Sequence, residues 1–233
     1  MFTQTIADQV SSLHEQMAAH ASAEVLAALS SEQAALIAHG IPAGVPGPGT
    51  PLPDADLLDV DGKLIALSVA RQNRPAVVVF YRGAWCPYCN ITLRTYQAQL
   101  AAELARREVQ LIAISPQRPD GSLSMLDTNS LTFTVLSDPG NQIAGELRIL
   151  TAPSPAAVRA QASMGLDVAE HNADGTNVIP MPTVIVVDAD GIIRWIDVHP
   201  NYTSRTEPEQ ILAALDSLRA DPGHPDEAPP SAT

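Results

Sequence analysis

The chain contains two cysteines, Cys86 and Cys89, and only two residues lie between them. An unbroken apolar run over residues 76–81, rich in β-branched side chains, precedes the pair and predicts a strand that is buried on both faces. A helical stripe of apolar residues follows the pair to about residue 107. We therefore expect the two thiols at the turn between a central strand and a helix. A secreted disulfide scaffold is excluded, because that class needs several cysteine pairs.

The residues of the motif suit a reactive thiol. Pro87 favours the first position of a helix, where its missing N–H costs nothing. Cys86 then becomes the N-cap, close to free backbone N–H groups and the positive end of the helix dipole, which stabilise a thiolate. Cys89 lies three positions further along, on the same side of the first turn. We expect it to be within reach of a disulfide with Cys86.

Charge excludes several classes of function. The chain has 26 acidic and 13 basic residues and a net charge of −13, whereas nucleic-acid binding needs a basic surface. Docking on an anionic membrane is disfavoured for the same reason. No apolar run approaches the roughly 20 residues of a membrane-spanning helix. The amino-terminal segment resembles no signal peptide, so we expect a cytoplasmic protein.

The basic residues are unevenly placed around the two thiols. No aspartate or glutamate occurs from residue 62 to residue 102, and this acid-free window carries Lys63, Arg71, Arg74, Arg82 and Arg94. Positive surroundings lower the pKa of a cysteine and so favour the reactive thiolate. The alternative is that these arginines only flank strands and keep the surface soluble.

Other uses of a cysteine pair fit less well. A structural zinc site needs two more ligands, and the six histidines are scattered singly along the chain. Haem attachment needs a histidine directly after the second cysteine, where this chain has Asn90. A nucleophilic pair of cysteine and histidine would require a distant histidine that the sequence does not identify. We expect neither a metal nor another cofactor.

Four segments follow from the composition. Residues 1–40 are predicted to be a helical extension, with one helix on the apolar stripe that starts at Phe2 and two shorter helices that stop at Gly40. It either packs on the domain or serves as an arm in a homodimer. Residues 41–54 are a linker rich in proline and glycine, and residues 55–219 form the main domain. Residues 220–233 are predicted to be a disordered, acidic and proline-rich tail.

The main domain is expected to be an α/β fold with a mixed central sheet and helices on both faces. Its central strands are predicted at residues 76–81, 109–115 and 183–187. Aspartate-glycine pairs at residues 61–62 and 190–191 predict two hairpins. A helix at residues 208–219 closes the domain.

The segment from Phe80 to Cys89 resembles the thioredoxin-like superfamily, which carries a Trp-Cys-x-x-Cys turn after a central strand. Trp85 is part of that signature. The wider context is similar to the peroxiredoxin-like branch, the alkyl hydroperoxide reductase/thiol-specific antioxidant family. Residues 136–139 with 143–144, and 183–188 with 191–194, carry that likeness in the same order. The resemblance covers about residues 50–220 and implies a thioredoxin-like fold.

Within that resemblance, two sets of roles compete. Peroxiredoxins carry Pro-x-x-x-Thr-x-x-Cys around the peroxide-attacking cysteine. This alignment places the attacking cysteine on Cys89, the threonine on Cys86 and the proline on Arg82. The arginine that activates peroxide in the family falls on Pro182. Arg82 or Arg94 are the candidates to replace it.

The thioredoxin-type roles are the other set. Cys86 is then the attacking thiol and Cys89 the resolving thiol. Pro182 becomes the cis-proline that places the Met181 backbone against the disulfide. On this basis we predict that Cys86 is the more exposed sulfur with the lower pKa, and that Arg82 assists its thiolate.

The resemblance implies a redox enzyme with two candidate activities. In a peroxiredoxin-like thiol peroxidase, one thiolate attacks a hydroperoxide, the other thiol closes the disulfide, and an external thiol reductant resets the pair. That reductant is either thioredoxin-like or a low-molecular-weight thiol. In a thiol–disulfide oxidoreductase, the dithiol instead exchanges with protein or small-molecule disulfides. A third alternative, outside enzyme chemistry, is an interaction module with a vestigial dithiol.

Overall fold

The structure is a computed structural model that describes residues 4–220. Its helices are α1 (Ile6–His20), α2 (Ala23–His39), α3 (Leu67–Ala70), α4 (Pro87–Gln99), α5 (Ala101–Arg106), α6 (Pro119–Thr128), α7 (Gln142–Glu146), α8 (Pro155–Ser163), α9 (Val168–His171) and α10 (Pro208–Ala220). Its strands are β1 (Asp56–Leu58), β2 (Leu64–Ala66), β3 (Ala76–Phe80), β4 (Gln110–Ser115), β5 (Thr134–Ser137), β6 (Leu150–Thr151), β7 (Ile179–Pro180), β8 (Thr183–Val187) and β9 (Ile193–Val198). None of the described helices is both long and apolar enough to cross a bilayer.

Seven strands form one mixed sheet in the order β2-β1-β5-β4-β3-β8-β9. Strands β3, β4 and β5 are parallel, whereas β8 runs antiparallel to β3. All five residues of β3 are buried, because their side chains enter a separate hydrophobic cluster on each face of the sheet. The predicted central strands and the mixed sheet are confirmed, and the two predicted hairpins are present as β1–β2 and β8–β9.

The amino-terminal helices differ from the prediction in one respect. The two short helices expected after α1 are a single helix, α2, which starts at the capping side chain of Ser22 and runs through residues 30 and 31. A serine can lie inside a helix, so Ser30 and Ser31 do not interrupt α2. The helix stops at Gly40, as predicted, with a φ of 68°. Phe2 and the predicted tail beyond Ala220 lie outside the described residues.

Both amino-terminal helices pack on the domain. Ile6 and Val10 of α1 are buried in the same cluster as the inner face of α4. The carboxylate of Glu207 accepts hydrogen bonds from the backbone N–H groups of Ile6 and Ala7, so it caps α1 from the start of α10. The carboxylate of Glu32 in α2 likewise accepts a hydrogen bond from the Ser154 N–H at the start of α8. These contacts agree with a packed extension, although the segment boundaries stay predictions.

The segment rich in proline and glycine lies along the edge strand β9. The Gly49 N–H bonds to the Ile193 carbonyl at 2.8 Å, and the Ile193 N–H bonds to the Thr50 carbonyl at 2.8 Å. The Leu52 N–H adds a bond to the Gly191 carbonyl. An open sheet edge is a template for pairing with other chains, and this proline- and glycine-rich segment covers part of the edge at β9.

Candidate active site

The Cys-x-x-Cys motif begins α4 as the sequence predicts. Cys86 is the N-cap, with φ −88° and ψ 113°, and Pro87 is the first helical residue. The N–H groups of Cys89 and Asn90 both bond to the Cys86 carbonyl at 3.1 Å. The two thiols are free and deeply buried, with 2% and 1% of Cys86 and Cys89 exposed. Burial is thus nearly equal for the two sulfurs.

The loop before the motif is fixed from two sides. The Gln117 side chain accepts from the Ala84 N–H at 2.9 Å and donates to the Tyr81 hydroxyl at 3.0 Å. The Asn90 amide donates to the carbonyls of Ala84, at 2.7 Å, and of Cys86, at 2.9 Å. Gly83 leaves room for the indole, because a Cβ there would lie 2.4 Å from Trp85 Nε1.

Cys89 has the surroundings of a thiolate. Arg205 Nη2 lies 3.7 Å from Cys89 Sγ. Burial opposes ionisation of Cys89, but the hydrogen bond from the Cys86 thiol, the charge of Arg205 and a bond from the Arg82 backbone outweigh burial. Together they lower the pKa of Cys89 below that of an ordinary thiol. Cys89 is therefore the sulfur that ionises first.

Cys86 has the opposite balance. Burial raises the pKa of Cys86 well above the ordinary value of a thiol, and the neighbouring Cys89 adds to this shift. The prediction that Cys86 has the lower pKa is therefore wrong. The N-cap position does not lower the pKa of Cys86, because its sulfur accepts no hydrogen bond from the first turn of α4. Without that bond the cost of burial dominates.

Arg82 is buried beside the dithiol. Its guanidinium stacks on the Tyr202 ring, 4.1 Å from the centroid, and no ion pair within residues 4–220 includes it. Burial lowers the pKa of Arg82. The nearby Cys86 sulfur is the neighbouring group that opposes this shift most strongly. Pairing with a surface acid is thus not its role in the structure.

The Met181–Pro182 bond is trans, so the predicted cis-proline is wrong. The chain is extended here because it continues from β7 into β8. The Met181 N–H bonds to the Ile149 carbonyl at 2.7 Å, and the Pro182 carbonyl accepts from the His199 N–H at 2.9 Å. The Met181 carbonyl accepts from the Thr183 hydroxyl. The Met181 backbone is therefore bonded to its neighbours rather than presented to the sulfurs.

An internal cavity of about 10 Å³ borders Cys89. This volume is about that of one water molecule. Val79, Tyr96 and Pro182 are among its walls, and its polar lining is Cys89, Thr92, Thr183, His199, Arg205 and Thr206. Pro182 is thus near Cys89 without the cis bond.

An open groove lies on the other side of the motif, between α1 and α4. Its volume is about 560 Å³. Trp85 and Pro87, the two neighbours of Cys86 in the chain, both line it. The remaining lining residues are mostly polar: Gln4, Gln9, Ser12, Leu13, Gln16, Asn90, Ile91, Arg94, Thr128 and Asn129.

The basic window is spread over the molecule. Arg71 bonds to the Asp188 carbonyl, Arg74 pairs with Glu108, and Lys63 pairs with Asp61. From that window, Arg82 lies beside the thiols and Arg94 lines the groove. The arginine whose side chain bonds to Cys89 Sγ, at 3.7 Å, is Arg205, which follows β9 and lies 116 positions along the chain. No local pattern in the sequence marks it.

The comparisons with known proteins identify the family. The family model described as "AhpC/TSA family" matches residues 48–196. The chain belongs to the AhpC/TSA family. A Mycobacterium tuberculosis protein named "Putative peroxiredoxin Rv2521" is 30% identical over 96 residues. That match covers 41% of this chain and 60% of the relative, so the chain spans less than two thirds of the length of the curated relatives it matches.

Solved structures of peroxiredoxins share the fold. Peroxidoxin BcpB from M. tuberculosis superposes with a TM-score of 0.56 at 20% identity, over 75% of this chain and 99% of BcpB. Reduced Prx3 from Vibrio vulnificus gives 0.59 at 17% identity, over 73% of this chain and 99% of Prx3. The thioredoxin-like fold of the peroxiredoxin-like branch is confirmed by these matches.

Proposed function

We propose that this chain is a thiol peroxidase in which Cys89 attacks the hydroperoxide. The observation that carries the proposal is the setting of Cys89: a sulfur with a lowered pKa, 3.7 Å from Arg205 Nη2, on a cavity the size of one water. The resemblance to the peroxiredoxin motif implies a peroxide-attacking cysteine at the same residue. The proposal thus rests on the environment of the sulfur and on family membership together.

The chemistry needs only the two thiols and an external reductant. The Cys89 thiolate attacks one peroxide oxygen, the O–O bond breaks, and the alkoxide leaves as alcohol after it gains a proton. Cys89 becomes a sulfenic acid. The thiol of Cys86, the N-cap three positions before Cys89, then condenses with it to form the Cys86–Cys89 disulfide and release water.

Arg205 takes the place of the missing family arginine in this proposal. That arginine aligns with Pro182, whereas Arg205 reaches the same sulfur from the loop after β9. Its Nη1 donates to the carbonyls of Tyr202 and Ser204, which hold the guanidinium toward Cys89. A fixed positive group of this kind stabilises both the thiolate and the charge that develops on the breaking O–O bond.

The alternative activity, thiol–disulfide exchange started by Cys86, has less support. It requires a reactive thiolate at Cys86, whose pKa is raised by burial, and a cis-proline that is trans here. The resetting step still needs an external thiol reductant. A homodimer and a cytoplasmic location remain predictions from the sequence.

Stopped-flow oxidation by hydrogen peroxide tests the proposal, with the fluorescence of Trp85 next to Cys86 as the signal. We expect wild type to form the disulfide. Cys86→Ser should react once and stop at a sulfenic acid that dimedone labels, and Cys89→Ser should not react. A fast reaction in Cys89→Ser, or a dithiol that stays silent in wild type, would contradict the proposal.

A further inference from the structure

Arg205 reaches Cys89 from a loop, and loops are usually the more mobile parts of a protein. This loop covers residues 199–207, between the end of β9 and the start of α10. Arg205 is half-buried, and an arginine loses much rotamer freedom when its guanidinium is fixed. The 3.7 Å contact between Arg205 Nη2 and Cys89 Sγ therefore depends on what holds the backbone of the loop.

The residue directly after Arg205 is held at its side chain and at its backbone. Thr206 is only 1% exposed. Its hydroxyl donates to Asp197 Oδ2 of β9 at 2.8 Å, and its carbonyl accepts a hydrogen bond from the Tyr96 hydroxyl of α4 at 2.7 Å. Thr206 thus joins the loop to the sheet on one side and, on the other, to the helix that carries Cys89.

The acceptor of the Thr206 hydroxyl is a carboxylate that stays ionised. His199 Nε2 lies 3.0 Å from the same Asp197 oxygen, and this contact lowers the pKa of Asp197. Hydrogen bonds to an ionised acceptor are stronger than those between neutral groups. The Asp197 carboxylate is part-exposed and keeps its His199 contact if the hydroxyl is removed. Replacement of Thr206 therefore leaves no unpaired buried charge.

We propose that Thr206 is a positioning residue, which holds the guanidinium of Arg205 at Cys89 through the bond of its hydroxyl to Asp197. This inference rests on the proposed function, in which Arg205 stabilises the thiolate that attacks the peroxide. Thr206 needs no contact with the sulfur in this role. It fixes the backbone from which the Arg205 side chain extends.

The ionisation of Cys89 tests this role without peroxide, so the outcome is separate from that of the proposed function. The measurement is the rate of iodoacetamide alkylation of Cys89 against pH, read by peptide fragmentation in the full chain. Thr206→Val keeps the shape of the side chain and loses the hydroxyl, so it should shift the profile to higher pH. On the acid side of the profile the rate should fall about three- to tenfold, the loss expected for one hydrogen bond.

Three comparisons separate positioning from a general loss of stability. Thr206→Ser keeps the hydroxyl and should restore most of the wild-type profile. Thr203→Val removes a hydroxyl bond to Asn201 Oδ1 in the same loop. It should leave the profile unchanged, because the Thr203 N–H still bonds to that oxygen. In the Arg205→Gln background, Thr206→Val should change the profile no further.

The acceptor gives a test with a distinct sign. Asp197→Ala removes the partner of the Thr206 hydroxyl at a part-exposed position and should also shift the Cys89 profile to higher pH, whereas loss of the negative charge alone would shift it to lower pH. The other titratable groups that act on Cys89 stay in place in all these variants: Tyr81, Arg82 and Cys86. A downward shift in Asp197→Ala would overturn the proposal. So would an unshifted profile in Thr206→Val, an equal shift in Thr203→Val, or a further shift in the double variant.

Discussion

Cys86 and Cys89 are one helical turn apart and equally buried, yet their surroundings differ. Arg205 Nη2 lies 3.7 Å from the Cys89 sulfur, whereas Cys86 gains no bond from the helix terminus that it caps. Position at the start of a helix is therefore not enough to make a thiolate. Bonds made directly to the sulfur decide which of two buried thiols ionises.

The largest expected effect is the order of alkylation. A lowered pKa keeps Cys89 ionised as the pH falls below the range of an ordinary thiol, while Cys86 ionises only above that range. Between the two pKa values Cys89 is mostly ionised, and each pH unit below the pKa of Cys86 lowers the fraction of Cys86 thiolate about tenfold. Iodoacetamide labelling from pH 5 to 8, read by peptide fragmentation, should find Cys89 modified first. If Cys86 were labelled before Cys89, Cys86 rather than Cys89 would be the thiol with the lower pKa.

A second prediction removes the charge beside Cys89. Arg205→Gln should slow the first oxidation by hydrogen peroxide roughly 10- to 100-fold, because hydrogen bonds to charged groups contribute about 1.5–3 kcal/mol. It should also shift the pH dependence of that step upward. Arg205→Lys should recover part of the rate, since it keeps the charge without the planar group.

Arg118, which is exposed and pairs with Asp120 at the start of α6, supplies the matched control. Arg118→Gln should oxidise at the wild-type rate with an unchanged pH profile. If Arg205→Gln did the same, the charge would not be what distinguishes Cys89 from Cys86.

The elements around the site could be predicted because their signals are local. The apolar run of β3, Pro87 at the first helical position and the aspartate-glycine turns each act within a few residues. Arg205 could not be predicted in this way. It reaches Cys89 only because the loop after β9 lies beside the start of α4, and that proximity comes from the topology of the sheet.

The errors at Cys86 and Pro182 have a shared origin. Both predictions rest on the resemblance of the motif to thioredoxin, which implies the thioredoxin roles at the matching positions. The backbone at Cys86 has the expected N-cap geometry, but its sulfur lacks the expected bonds. The backbone at Pro182 runs extended between β7 and β8. The motif therefore predicts the backbone of the turn. The charge at the sulfurs depends on residues that are distant in the sequence, such as Arg205.

A third prediction concerns the Cys86 side. Asn90→Ala leaves the carbonyls of Ala84 and Cys86 without the amide that holds them. Loss of such part-buried hydrogen bonds costs about 0.5–1.5 kcal/mol each. We expect a lower free energy of unfolding and a several-fold slower closure of the disulfide, with the first oxidation of Cys89 unchanged. Gln99→Ala, at the far end of α4, should change neither rate, and a slower first oxidation in Asn90→Ala would show that the two sides are not separate.

The smallest expected effect comes from the contact between α1 and the motif. The Tyr88 hydroxyl lies 3.1 Å from His14 Nε2 and 3.7 Å from Met17 Sδ, so it joins the motif to the helix that walls the groove. Tyr88→Phe should lower the free energy of unfolding by about 0.5–1.5 kcal/mol. Hydrogen exchange should quicken in α1, and alkylation of Cys86 at high pH should rise about twofold.

The control is Tyr96→Phe, which removes a buried hydroxyl bonded to the Thr206 carbonyl. It should lower the free energy of unfolding by a similar amount without quickening hydrogen exchange in α1. If both variants opened α1 equally, the groove wall would depend on overall stability rather than on the Tyr88 contact.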